Sequence, residues 1–168
     1  MTRYKIVPGR CELAAQASSS LHPIRAEASE LAGEIDVELA DGVLDPTAPT
    51  GARIELATAA LHSGNPLLDR EIQGRLDARR YPRVAAWVRE VTGPTDGAYD
   101  VHGELTLRHV TRPVTARATL VSGDRRFLEV NGAFTLDVRD FQLDPPKLLG
   151  LRVHPEVAVT VRIVAERS

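Results

Sequence analysis

The ten residues YDVHGELTLR (99–108) alternate between apolar and polar side chains almost without interruption. Val101, Leu105 and Leu107 fall on one side of an extended chain, and the polar residues between them fall on the other. A period of two residues predicts a β-strand that turns one face toward a core and the other toward water.

The same period recurs along most of the chain. Turn-forming residues separate the alternating segments, as at Pro8-Gly9, Asp41-Gly42 and Pro145-Pro146. Short strands divided by such turns are typical of an antiparallel sandwich or barrel. The predicted strands cover residues 4–7, 11–18, 34–39, 53–58, 84–91, 99–108, 114–121, 128–138 and 157–164.

Residues 61–82, LHSGNPLLDREIQGRLDARRYP, break this pattern, because apolar residues recur there at helical spacing. Asn65-Pro66 is typical of a helix start, with the asparagine as N-cap and the proline at the first helical position. The sequence therefore predicts a short helix near residues 66–79, ending before Tyr81-Pro82. Residues 21–30 fit either a strand edge or one helical turn.

A meander of strands has two free edges unless its ends pair with each other. Closure into a barrel removes both edges. About eight strands close around a space that holds either side chains or one small ligand. We therefore expect a mainly β fold: an antiparallel up-and-down barrel of about eight strands with a short helical insertion, forming a single domain over residues 1–168.

Five short motifs occur in order along the chain. They are Tyr4-Lys5-Ile6-Val7-Pro8; Ser63-Gly64-Asn65 with Asp69-Arg70-Glu71; Tyr81-Pro82-Arg83-Val84; Gly103-Glu104-Leu105-Thr106-Leu107 with Val110-Thr111-Arg112-Pro113-Val114; and Asp137-Val138-Arg139-Asp140-Phe141. Together they resemble the YceI-like family over about residues 4–165. The resemblance implies a lipocalin-like β-barrel that binds lipids or polyisoprenoids.

The chain departs from the family pattern at four positions. His109 replaces a hairpin glycine, and Gln142 replaces the glycine that usually follows the Asp-Phe pair. Ala15 and Ala86 stand where the family often has phenylalanine. Each Phe-to-Ala difference removes a large apolar side chain, so the space either widens a cavity or is filled from elsewhere.

Net charge, apolar runs and cysteine content limit which partners and which cellular compartment we expect. The net charge of −2 argues against nucleic-acid binding, which needs a basic face, and the chain has no polybasic run. The first residues lack the apolar run of a secretory signal, and no stretch approaches the roughly 18 apolar residues of a membrane span. Because the single cysteine suits a reducing compartment, we expect a cytoplasmic protein.

Catalytic and metal-binding constellations are not evident in the sequence. Cys11 lies on an apolar face without a neighbouring histidine, which indicates a small buried residue. The five histidines show no helical i, i+4 pair, and His22 and His154 precede prolines in predicted loops. Carboxylates interleaved with arginines, as at 137–140, favour ion pairs over acid–base chemistry. We predict no catalytic residue, no metal and no cofactor.

The apolar face of the strands is the main candidate binding site. Alanines such as Ala15, Ala17 and Ala86 are small, whereas strand number sets the barrel radius, so long side chains or a ligand must fill the space. The predicted cavity lining is Leu13, Ala15, Ala17, Val37, Leu56, Val84, Ala86, Val101, Leu105, Leu107, Phe134, Leu136 and Phe141, and the predicted lid is Leu68, Ile72 and Leu76 of the helix. In the family context, Arg139 is a candidate contact for a polar head group.

The sequence thus predicts sequestration or transport of an apolar small molecule, by resemblance a polyisoprenoid, a quinone or a fatty-acyl lipid. One alternative is a cyclase or isomerase that encloses a reactive substrate in the same cavity, which requires an inward-facing ionisable residue. A second is a structural module with a filled core that docks a partner. A homodimer is compatible with each of them.

Overall fold

A computed structural model describes residues 2–148 and 150–168. In chain order its elements are β1 (Thr2–Ile6), β2 (Glu12–Ser19), β3 (Ile24–Ala28), β4 (Leu31–Val37), β5 (Leu39–Ala40), β6 (Val43–Leu44), β7 (Gly51–Ala57), a 3-10 turn (Thr58–Ala60), α1 (Pro66–Leu76), β8 (Arg83–Thr95), β9 (Ala98–Leu107), β10 (Val110–Gly123), β11 (Phe127–Asp137), a second 3-10 turn (Val138–Phe141), β12 (Lys147–Leu148) and β13 (Leu151–Arg167).

The strands close into an antiparallel barrel. They pair in the order β1-β4-β7-β8-β9-β10-β11-β13, and β13 pairs again with β1. β13 is long enough to serve both halves of the closing seam, because residues 153–162 pair with β2 and residues 165–167 pair with β1. β2 continues the line of β1, and β3 continues the line of β4. The predicted eight-strand closed barrel with one short helix is confirmed.

The edge of β3 is joined to the chain that follows β7. Glu27 N–H donates to the carbonyl of His62 at 2.8 Å, and His62 N–H donates back to the carbonyl of Glu27 at 3.0 Å. Residues 21–30, which the sequence left ambiguous, therefore contain a strand. This pair ties the start of the helical insertion to the barrel wall.

Helix α1 begins where the sequence predicts and ends slightly earlier. The Asn65 side chain accepts hydrogen bonds from the N–H groups of Leu67 at 3.0 Å and Leu68 at 3.3 Å. At the other end Asp77 adopts the left-handed conformation (φ 50°), and its N–H bonds the carbonyls of Gln73 and Gly74. The helix stops at Leu76 because this left-handed residue ends the helical hydrogen-bonding pattern.

The two residues that replace glycines of the family pattern, His109 and Gln142, lie at or beside positions with left-handed backbone conformation. Gln142 itself has φ 60°, a conformation that glycine adopts at no steric cost. In the β9–β10 turn the left-handed residue is Arg108 (φ 53°), directly before His109. The fold therefore keeps both turns without glycine at these positions.

A core cluster fills the part of the barrel near β1. Tyr4, Ile6, Leu31 and Leu128 are almost fully buried there, and the Tyr4 hydroxyl donates to the carbonyl of Asp124 at 2.7 Å. Cys11 belongs to the same cluster, and burial raises the pKa of its thiol. Cys11 therefore has the surroundings expected of a small buried residue.

Gly74 offers a direct test of the helix. A Cβ at this position would meet no atom within 4 Å, and the residue does not have the positive φ that disfavours alanine. We expect Gly74→Ala to raise the free energy of unfolding by about 1 kcal/mol, because alanine loses less conformational entropy on entering a helix. Urea unfolding followed by circular dichroism measures the change. Gly64→Ala is the control: that site is equally open but has φ +81°, so this variant should not gain stability.

Candidate functional site

An apolar cavity of about 210 Å³ lies in the barrel beneath α1. Its walls come from the helix, from β2, β3, β7, β8, β9, β11 and β13, and from the loop after Phe141. Nearly all of the lining side chains are aliphatic. Strands supply them because alternate residues point inward, and β2 contributes alanine at two successive inward positions, Ala15 and Ala17.

The structure distributes the predicted lining residues over more than one place. Val37 and Val101 line a second apolar cavity of about 150 Å³ toward the other end of the barrel. Ala86 and Phe141 belong to a core cluster with Leu105, Leu107 and Val110 and do not contribute to either wall. The predicted residues that surround the larger cavity are Leu13, Ala15, Ala17, Leu56, Val84, Leu105, Leu107, Phe134 and Leu136.

The three predicted lid residues have different surroundings. Ile72 and Leu76 line the larger cavity directly. Leu68 is buried in a cluster with Ile24 and Val153, beside the cavity. The helix is thus anchored near its first turn and covers the cavity with its later turns.

The segment before α1 is fixed by one carboxylate. Asp69 Oδ1 accepts hydrogen bonds from the hydroxyl and the N–H of Ser63, both at 2.6 Å. These bonds hold the pKa of the Asp69 carboxyl below its usual 3.8, and the bond from the hydroxyl has the larger effect. The negative charge also lies in the first turn of the helix, where the helix dipole favours it.

The Ser63–Asp69 pair predicts a pH-dependent stability. Because the pKa of Asp69 is lower in the folded state than in the unfolded chain, the pair stabilises the fold above pH about 3.8 and loses this effect as the pH falls through the folded value. We expect Ser63→Ala to lower the free energy of unfolding at pH about 7, with the difference shrinking toward pH about 2. Urea unfolding at both pH values measures this, and an equal difference at both would contradict it.

Arg139, the predicted head-group contact, lies away from the cavity. Its Nη2 is 2.7 Å from Asp137 Oδ2, and this pairing holds the pKa of Asp137 below its usual value. The polar residues that line the larger cavity are Arg75, Asp144 and His154. Arg75 follows Ile72 by three positions on α1, so its place beside the apolar stripe could have been inferred from helical spacing. His154 lies in β13 and not in a loop.

Arg75 is held loosely. Its guanidinium nitrogens lie 3.6 Å from Glu71 Oε2 and 3.9 Å from Asp144 Oδ2. Both distances exceed that of a good charge-assisted hydrogen bond, and the guanidinium donates none to the part of the chain that the structure describes. Asp144 is 84% exposed, and His154 is also exposed. These residues mark the place where the cavity reaches water.

Two absences hold for residues 2–148 and 150–168. No group of three or more His, Cys, Asp and Glu side chains is placed to hold a metal ion. No helix in these ranges is both long and apolar enough to cross a membrane.

A sequence profile described as the YceI-like domain matches residues 4–165. The chain belongs to the YceI-like family. Among curated relatives, a UPF0312 protein of Pseudomonas putida strain F1 is 32% identical over 113 residues, which is 61% of this chain and 58% of that protein. A UPF0312 protein of Pseudomonas savastanoi pv. phaseolicola is 30% identical over 112 residues, with the same shares. The match thus spans 58% of the length of these relatives.

Several solved structures share the fold at low sequence identity. A polyisoprenoid binding domain from Saccharophagus degradans, implicated in plant cell wall breakdown, superposes with a TM-score of 0.79 at 14% identity over 100% of both chains. Burkholderia cenocepacia BcnA gives 0.79 at 16% identity over 95% of this chain and 99% of that one. A Campylobacter jejuni YCEI mutant with a monobromobimane guest gives 0.71 at 12% identity over 86% and 85%.

Proposed function

We propose that this YceI-like chain sequesters or carries an apolar small molecule, of the polyisoprenoid, quinone or fatty-acyl class, in the cavity beneath α1. The observation that carries the proposal is the aliphatic wall around about 210 Å³. Engineered apolar cavities of about 150 Å³ already stay dry and bind benzene-sized guests. The description of the Saccharophagus degradans domain as polyisoprenoid-binding supports the same ligand class.

The second cavity supports a long ligand. Pockets for drug-sized molecules usually measure about 300–1,000 Å³, and each cavity alone is smaller than this. The two cavities adjoin along β11 and β13, because Phe134 and Val159 line one, and their neighbours Gly132 and Val161 line the other. A linear chain that extends from one cavity into the next would use both.

The opening of the larger cavity supports a ligand with a polar head group. Arg75 and His154 line the opening and offer hydrogen-bond donors, while the wall behind them is aliphatic. An amphiphile would place its apolar chain inside and its head between these side chains. The ionisable residues that line the cavity are Asp144 and His154, which are exposed, and the cationic Arg75 at the opening. None is a carboxylate or histidine enclosed by the apolar wall, so the arrangement favours a carrier over an enzyme.

A titration with dansyl-labelled undecanoic acid tests the proposed function. Burying about ten CH₂ groups at about 0.8 kcal/mol each gives roughly 8 kcal/mol, which corresponds to micromolar affinity before ordering costs are subtracted. We expect saturable one-to-one binding with a blue-shifted emission. Emission that never saturates, or that stays at the wavelength seen in water, would reject the carrier and leave the filled-core module.

Arg75→Gln tests the head-group contact separately. We expect it to weaken binding of the dansylated carboxylate about threefold to tenfold, since a charge-assisted hydrogen bond is lost, and to leave binding of uncharged N-phenylnaphthylamine unchanged. Arg139→Gln is the control and should affect neither probe. Equal losses for both probes in Arg75→Gln would indicate a packing role and contradict the contact.

The homodimer and the cytoplasmic location stay predictions.

A further inference from the structure

The barrel end that carries α1 exposes two leucines beside the opening of the larger cavity. Leu21 is 80% exposed and Leu67 is 53% exposed, the highest values for large apolar side chains in the described part of the chain. Leu21 lies in the β2–β3 turn, three residues before the buried Ile24, and Leu67 directly precedes the buried Leu68. Ile24 and Leu68 pack in one cluster, so the two exposed leucines flank the same patch of core.

Ordered backbone holds both leucines outward. The Ser19 hydroxyl oxygen accepts from the N–H groups of Leu21 at 3.3 Å and His22 at 3.1 Å, which fixes the turn. Leu67 is the second residue of α1, and its own N–H is bonded to the Asn65 cap. Their exposure is therefore a property of fixed structure.

Three cations lie on the same surface. Arg70, Lys147 and Arg152 are exposed and have no ion pair with any residue in 2–148 or 150–168. Of the nearby acids, Asp69 bonds Ser63, whereas Glu71 and the exposed Asp144 both face the guanidinium of Arg75, at 3.6 and 3.9 Å. This barrel end thus carries unpaired positive charge although the whole chain has a net charge of −2.

Backbone contacts and helical spacing connect these residues into one surface. Arg70 follows Leu67 by three helical positions and so shares its side of α1. Lys147 N–H lies 3.3 Å from Glu71 Oε2, and Lys147 is the strand partner of Arg152. Arg152 N–H donates to the Ser20 hydroxyl at 3.0 Å, and Ser20 precedes Leu21. We call Leu21, Leu67, Arg70, Lys147 and Arg152 the docking rim.

We propose that the docking rim binds the anionic surface of a lipid bilayer and places the cavity opening against the lipid. Exposed leucines can enter the head-group layer, and unpaired arginine and lysine side chains attract anionic lipids. The opening lies at the same end, since Ile72, Pro146 and Val153 line the larger cavity. The inference goes beyond the proposed function, because all five rim residues lie outside the cavity wall.

The opposite end of the barrel provides a matched comparison. Val121 and Phe127 are exposed there as well, but to a smaller extent, and the guanidinium of Arg10 lies 6.0 Å from the Phe127 ring centre. Arg125 and Arg126 supply cations in the adjacent turn. If any apolar and basic surface of this protein bound lipid, both ends of the barrel would bind it. Variants at each end therefore distinguish docking by the rim from nonspecific lipid binding.

Vesicle cosedimentation tests the docking rim. We expect the protein to bind vesicles of phosphatidylglycerol and phosphatidylcholine in equal parts, to bind pure phosphatidylcholine at least fivefold more weakly, and to be released by salt. The charge variant R70Q/K147Q/R152Q and the apolar variant L21S/L67Q should each weaken binding at least fivefold. The opposite-end variants R125Q/R126Q and V121S should bind as the parent chain does.

Three results would overturn the proposed membrane docking. The first is a lack of binding to anionic vesicles, the second is binding that survives both rim variants, and the third is an equal loss of binding in the opposite-end variants. A lipid-free dimer that L21S/L67Q disrupts in sedimentation velocity would assign the surface to a second copy and overturn the membrane assignment. The probe titration in vesicle-free buffer keeps the two proposals apart, because rim variants that lose vesicles but still bind the probe leave the carrier function intact.

Discussion

Ala15→Trp is expected to abolish binding of an apolar probe while the barrel stays folded. Ala15 lines the larger cavity from the middle of β2, where its strand partners are Val159 and Ala26. An indole at this position points into the space that a ligand needs, and the barrel wall cannot widen to restore it. We expect at least a tenfold loss of affinity for dansyl-labelled undecanoic acid, equivalent to about 1.4 kcal/mol or more.

Ala158→Trp is the matched control for this variant. Ala158 lies on β13 next to Val159 but faces outward and is exposed. It should leave probe affinity unchanged, and circular dichroism should show both variants folded. Overpacking typically costs about 1–3 kcal/mol of stability, so some loss of stability in Ala15→Trp is compatible with the prediction. Unchanged binding in Ala15→Trp would place the ligand outside this cavity.

Gly33→Ala is expected to destabilise the barrel severely. Gly33 lies in β4 with φ +131°, a region that is closed to residues with a Cβ. A Cβ added there would lie 1.9 Å from the carbonyl oxygen of Arg53 on β7. The strands must separate or the backbone must change conformation, and either change breaks pairing close to the point where the barrel closes. We expect a loss of at least about 3 kcal/mol, or no folded protein.

Gly132→Ala is the control for the backbone clash. Gly132 also lies inside a strand, but its φ is not positive, and its added Cβ would lie 3.4 Å from a Val161 methyl and 3.9 Å from the carbonyl oxygen of Arg117, both ordinary contacts. Urea unfolding should place Gly132→Ala within about 1 kcal/mol of the parent chain. A Gly33→Ala protein that unfolds at the same urea concentration as Gly132→Ala would contradict the close approach of β4 and β7.

Local patterns predicted the elements well, because the forces that form them are local. The alternation at 99–108 reports which face of a strand is buried, and the observed β9 spans Ala98–Leu107. Asn65-Pro66 starts α1 because its cap bonds join residues two and three positions apart. The C-terminal end of α1 was harder to predict, since nothing in the sequence pattern marks the left-handed conformation of Asp77.

Position along the barrel axis was not predictable from the same pattern. Alternation assigns Val37 and Leu56 alike to the inside, but they line different cavities, because strand register and not periodicity sets their level. The position of an arginine relative to the cavity is also invisible in sequence. The ion pair expected at 137–140 forms between Asp137 and Arg139, whereas the arginine that lines the cavity is Arg75 of the helix.

The cationic surface shows the same limit. The chain has no polybasic run, and the three cations of the docking rim come from the helix, from β12 and from β13. Only the fold brings them to one end of the barrel. The lack of a polybasic run therefore says nothing about a basic surface that is assembled from separate segments.

Native mass spectrometry of the purified protein, paired with organic-solvent extraction of the same sample, tests ligand carriage most directly. We predict a population whose mass exceeds that of the bare chain by one apolar molecule, which the solvent extract then contains, and we predict that Ala15→Trp lacks it. A parent protein that carries no such molecule, and that takes up none when long-chain isoprenoids, quinones or fatty acids are added, would contradict the carrier function.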